Sequence, residues 1–77
     1  MNIKSKIGLR IKELRDHNDM SQKDLAYSAD LDRSYIASVE TGQRNISIVN
    51  IEKISTALGI SLKDFFNDHK FEDNGEK

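Results

Sequence analysis

Apolar residues along the chain recur at helical rather than strand spacing. Ile7, Ile11 and Leu14 fall at i, i+4 and i+7, one face of a first helix expected from Ser5 to about His17. Leu9 lies off that stripe and is expected to be exposed, as many leucines are. Four further helices are each announced by an apolar residue followed by Ser or Asp: Met20-Ser21, Leu31-Asp32, Ile46-Ser47 and Ile60-Ser61. The second residue of each pair is a good N-cap, placed where a helix leaves four N–H groups unpaired. Five positions beyond each apolar residue stands another, Leu25, Ile36, Ile51 and Phe65, which is the spacing of a hydrophobic staple. Ser21-x-x-Asp24 and Ser61-x-x-Asp64 resemble capping boxes with Asp in place of the usual Glu or Gln. Gly42 and Gly59 stand where the third and fourth helices should stop.

These marks predict an all-α fold of five helices. The second spans Gln22 to Ser28 and buries Leu25 and Ala26. The fourth runs to Leu58 with Ile51, Ile54 and Leu58 inward, and the last carries a stripe of Leu62, Phe65, Phe66 and His69. Residues 1–4 are expected to be loosely held. Residues 1–69 form the expected domain and 70–77 a polar tail, with Phe71 tucked back.

The third helix has two unlike faces. At 100° per residue, Ile36, Val39 and Glu40 share one side, while Ser34, Ala37, Ser38 and Thr41 share the other. Tyr35 flanks the small polar side and Arg33 stands in the first turn. Small residues permit close approach to another surface, and Arg and Ser donate well to base edges and phosphates. Patterning alone fits an ordinary solvated face equally well.

Composition narrows the choice. A chain of 77 residues makes one small domain, which buries only about 60% of its unfolded surface and needs good helices or a partner. With no Cys there is no disulfide framework, thiolate metal site or thiol nucleophile, which suits a reducing cytoplasm. No apolar run approaches the roughly 20 residues of a membrane span, so no membrane partner is expected. His17 and His69 lie far apart without a ligand cluster, and the carboxylates are scattered. No enzyme, metal or cofactor is expected. Net charge is −1, but it is unevenly placed. Lys4, Lys6, Arg10, Lys12 and Arg15 face only Glu13 in the first fifteen residues, while Asp64, Asp68, Glu72, Asp73 and Glu76 outnumber Lys70 and Lys77 at the other end. Phosphate attraction acts over about 8 Å at physiological salt, so local charge matters more than the total.

Gln22, Leu25-Ala26, Tyr35-Ile36, Val39-Glu40 and Gly42 resemble the helix-turn-helix of the lambda-repressor-like (XRE) DNA-binding family, over roughly residues 5 to 66. Within it, DRSYIASVETGQRN at Asp32–Asn45 is similar to the DRTYIS-x-x-E-x-x-x-RN stretch of restriction–modification controller proteins. Phage-type or chromosomal repressors and antitoxins share part of this pattern, and a protein-interaction module built on the same helices is the reading of another class. Asp30 stands in the turn where the family often has Gly; Asp tolerates positive φ better than most residues. Ala37 stands where controllers commonly have Ser, and Thr41 where some have Arg.

The resemblance implies a homodimer on a pseudo-palindromic double-stranded operator, with RNA polymerase as a further partner to consider. It implies that Arg33 reads a base, with Ser34, Tyr35 and Ser38 beside it. Gln22 and Lys23 at the second helix, Arg44 and Asn45 in the following loop, and Lys12 would contact the DNA backbone. It also implies an internal ion pair between Arg15 and Glu40. Val49 points away from the fourth helix's stripe, and the adjacent Phe65 and Phe66 cannot both point straight inward. Val49, Leu62 and Phe66 therefore fit a two-fold dimer contact, or else a core that extends over them.

Overall fold

The computed structural model describes residues 1–72, all helix, turn or loop with no strand among them. Helix α1 runs Ile3–His17, two residues earlier than Ser5. The cause is Asn2, which is extended and accepts from the Ser5 N–H at 2.9 Å. Ile3 and Lys4 are therefore helical rather than loose. Helix α2, Gln22–Ala29, opens on a closed capping box: the Ser21 hydroxyl accepts from the Asp24 N–H at 2.9 Å, and the Asp24 carboxylate accepts from the Ser21 N–H at 3.0 Å. That backbone hydrogen bond holds the Asp24 carboxyl below its ordinary pKa. Asp30 ends α2 in the left-handed region, φ 60°.

Helix α3, Arg33–Glu40, begins after Asp32, which has the extended N-cap backbone but makes no capping hydrogen bond with its side chain. The expected side-chain cap is missing, but Leu31 secures the turn as its staple position predicts. The Leu31 N–H donates to Ala26 O at 2.9 Å, and the Leu31 side chain packs on the core. At the far end Gly42 takes φ 77°, its N–H donating to Val39 O and that of Gln43 to Ser38 O, both at 3.0 Å. This is the Schellman arrangement that satisfies the last carbonyls of a helix.

Helix α4, Ile48–Ala57, is capped by Ser47 and stopped by Gly59, also at φ 77°. Helix α5 is a single turn, Leu62–Phe65. The expected stripe does not continue to His69, which lies in a closing 3₁₀ turn, His69–Phe71, with its side chain 95% exposed. Arg10 fastens the end of α5 from α1. Its guanidinium donates to Asp64 O at 2.8 Å and Phe65 O at 2.7 Å, the carbonyls that a continued helix would engage. Arg10 thereby closes this side of α1, and its neighbour Leu9 is half-buried rather than exposed. Lys70 and Phe71 belong to the 3₁₀ turn; the remainder of the polar tail, residues 73–77, lies outside the described residues.

Helix α1 packs on α3, α2 on both α3 and α4, and α4 on α5. Ile11, Leu25, Ile36, Val39, Ile54 and Phe65 form the innermost core, each worth about 1.5–3 kcal/mol of burial. At Gly8 the backbone of α1 comes close to the end of α3. A Cβ there would collide with Val39 O and stand 2.7 Å from Glu40 O. No helix among the described residues is long and apolar enough to cross a membrane.

Candidate nucleic-acid interface

The inward side of α3 is fixed by charge as well as by apolar packing. Arg15 Nε donates to Glu40 Oε2 at 2.8 Å and Arg15 Nη2 to Oε1 at 3.0 Å, a bidentate pair. The Glu40 side chain is 4% exposed. A third Arg15 donor reaches Met20 O at 2.8 Å, so one guanidinium joins α1, α3 and the loop entering α2. The hydrogen bond to Glu40 holds the Arg15 pKa above its ordinary value. Gln22 completes the cluster. Its amide donates to Glu40 Oε1 at 3.0 Å, so the side chain expected on a phosphate is turned inward. A buried carboxylate has acceptor sites left after one arginine, and the first residue of α2 is within reach.

The outward side of α3 is open. Arg33 and Ser34 are exposed, and with Ala37, Ser38, Thr41 and Gln43 they line a shallow groove. Ser38 is half-buried. Its hydroxyl donates to Tyr35 O and accepts from Arg44 Nε, both at 3.0 Å. The Arg44 guanidinium carbon lies 5.0 Å from the centre of the Tyr35 ring, within cation–π range. The Tyr35 hydroxyl accepts from Asn50 Nδ2 on α4 at 3.0 Å. Asn45 and Lys23 are exposed, and so is Lys12, which pairs with Asp16 at 3.1 Å. Two of the five α1 cations are not available to a ligand: Arg15 closes on Glu40, and Arg10 on Asp68 and the α5 carbonyls.

Residues 11–65 match the helix-turn-helix family model. The chain belongs to the helix-turn-helix family. It is 49% identical over 67 residues to the control protein C.MunI of a Mycoplasma species, covering 86% of this chain and 90% of that protein. Its structure is similar to the restriction–modification controller C.AhdI from Aeromonas hydrophila, with a TM-score of 0.79 and 49% identity over 82% of this chain and 96% of that one. It also resembles the controller C.Esp1396I, solved as a tetramer in complex with its natural 35-base-pair operator; the TM-score is 0.81 and identity 39%, over 86% of this chain and 87% of that one.

Away from the α3 face, this family member exposes Val49 at 61% and Leu62 and Phe66 at 38% each. Ile48, next to Val49 in sequence, is 80% exposed as well, and periodicity does not single it out. Phe66 also meets Phe65 edge-on at 4.9 Å and Phe71 at 5.1 Å. Sequence reasoning missed Asn50 as well, because its partner Tyr35 is fifteen positions away and no local pattern links them. Among the described residues no group of three or more His, Cys, Asp or Glu could hold a metal ion.

Proposed function

We propose that the chain is a sequence-specific transcriptional regulator of the restriction–modification controller type, binding double-stranded DNA as a homodimer. The observation that carries the reading is α3: its apolar side and Glu40 are buried, while Arg33 and Ser34 stand exposed over a groove of small residues. An α-helix fits the major groove, where each base pair presents a distinct donor and acceptor pattern. In this reading Arg33 reads guanine bidentately, with Ser34 and Ser38 beside it. Arg44, Asn45, Lys23 and Lys12 anchor the backbone, joined by the Tyr35 hydroxyl.

Ile48, Val49, Leu62 and Phe66 supply the contact with a second copy. Two α3 helices would then sit about 34 Å apart, one turn of DNA. That C.Esp1396I is found as a tetramer on its operator supports binding as an assembly of copies here.

Selecting bound duplexes from a random pool tests the reading, since the enriched sites report specificity, symmetry and half-site spacing together. On an enriched duplex Arg33→Ala should cost about 1–3 kcal/mol and blunt discrimination. An equal loss on scrambled duplex would make Arg33 a phosphate anchor instead. If the wild-type protein retards no duplex in a salt-dependent way, DNA binding is wrong and a protein-interaction module takes its place.

A further inference from the structure

A tyrosine hydroxyl has one proton to donate and lone pairs to accept with. At Tyr35 the acceptor side is engaged by Asn50 Nδ2 at 3.0 Å, so the phenolic proton must point elsewhere. Asn50 is itself firmly placed in the first turn of α4, its N–H donating to the Ser47 cap at 3.1 Å. Both Tyr35 and Asn50 are half-buried at the border of the open α3 face. The ring between them carries the Arg44 guanidinium 5.0 Å above its centre, and Arg44 Nε reaches Ser38 Oγ at 3.0 Å. One line of contacts therefore runs from α4 through Tyr35 to Arg44 and Ser38, three side chains of the proposed DNA face.

We infer that Asn50 is a positioning residue for DNA binding: it holds the Tyr35 hydroxyl as a donor toward a phosphate oxygen and steadies the ring on which Arg44 rests. Phosphate oxygens only accept hydrogen bonds, so a phenol whose acceptor side is already taken is polarised for them. The inference rests on the DNA-binding reading above.

The test is a double-mutant cycle on the full chain with Asn50→Ala and Tyr35→Phe. Affinity is measured on a duplex enriched by the wild-type protein and on a scrambled duplex, with thermal midpoints alongside. Each single substitution should weaken binding to the enriched duplex about tenfold, with the midpoint near that of wild type. The double variant should be no weaker than the weaker single variant, because both remove the same hydrogen bond. Losses that multiply, or a loss that follows only a lowered midpoint, would make Asn50 a purely structural residue and overturn the inference. If Asn50→Ala does not fold, Tyr35→Phe, which keeps the ring, decides alone: unchanged affinity overturns the inference. A wild type that binds beside an Asn50→Ala that binds equally well sinks this inference only. A wild type that binds no duplex sinks the reading beneath it.

Discussion

Where α3 meets α1, two backbones touch at Gly8 and the Arg15 guanidinium closes on a carboxylate that is 4% exposed. Where the C-terminal segment meets α1, the fastenings are partly exposed ones. Arg10 reaches Asp68 at 3.3 Å, and Lys70 bridges Glu13 and Asp68 at 2.7 Å each. Phe65 is fully buried beneath them, but Phe66 and Phe71 are only partly covered. Buried pairs are little screened by salt, and breaking one strands a charge in the interior. Exposed pairs are screened and individually weak. The difference teaches that α3 is fastened by a buried, little-screened pair, while the segment carrying Leu62 and Phe66 depends more on solution conditions.

The comparison is broken most directly at Glu40. Glu40→Ala leaves Arg15 without its carboxylate and should cost about 3–5 kcal/mol in urea unfolding. Replacing both partners with apolar residues, Arg15→Met with Glu40→Leu, should recover most of that loss. A cost for Glu40→Ala below about 1 kcal/mol would erase the contrast between the two attachments.

Phe71→Ala should come next. A fully buried phenylalanine costs about 3–5 kcal/mol on truncation, and this one is half-buried, so roughly 1–2 kcal/mol is expected. The Phe66 ring resonances should shift with it, since the two rings meet at 5.1 Å, while signals from α3 stay in place.

The smallest effect is ionic. Hydrogen bonds from Lys70 hold the Asp68 carboxyl below its ordinary pKa. Its contribution is therefore present above the ordinary carboxylate range and lost as pH falls through the lowered value. Burial pulls Lys70 down, but its hydrogen bonds to Asp68 and Glu13 outweigh this and raise it. That contribution persists through neutral pH and fades only as pH climbs past the raised value. Below about pH 4 the Phe71 signals of the wild type should move, and in Asp68→Asn they should no longer follow that titration. The variant should lose less than about 1 kcal/mol at neutral pH. Identical acid behaviour in both proteins would show that Asp68 does not fasten this segment.

Much of the fold was legible because its signals are local. Ser21, Ser47 and Ser61 sit within three residues of the N–H groups they cap, and Gly42 and Gly59 mark their own helix ends. Asn2 is a signal of the same kind, three residues before the Ser5 N–H that it caps. The length of α5 was not legible, since its end is fastened by Arg10, 54 and 55 positions away. The division of α3 into inner and outer faces followed from periodicity. The inward turn of Gln22 and the Asn50–Tyr35–Arg44–Ser38 line did not, since each depends on which side chains packing brings together.

Gly8 carries a consequence for how such a protein could change its target. The gap between α1 and α3 is set there by main-chain atoms in contact, not by side chains that can adopt new rotamers. If Arg33 and Ser34 read bases as proposed, exchanging them would alter what is recognised without touching that spacing, so new specificities could be explored on an unchanged mount. A methyl group at position 8 would do the reverse, keeping every side chain of α3 and shifting all of them together.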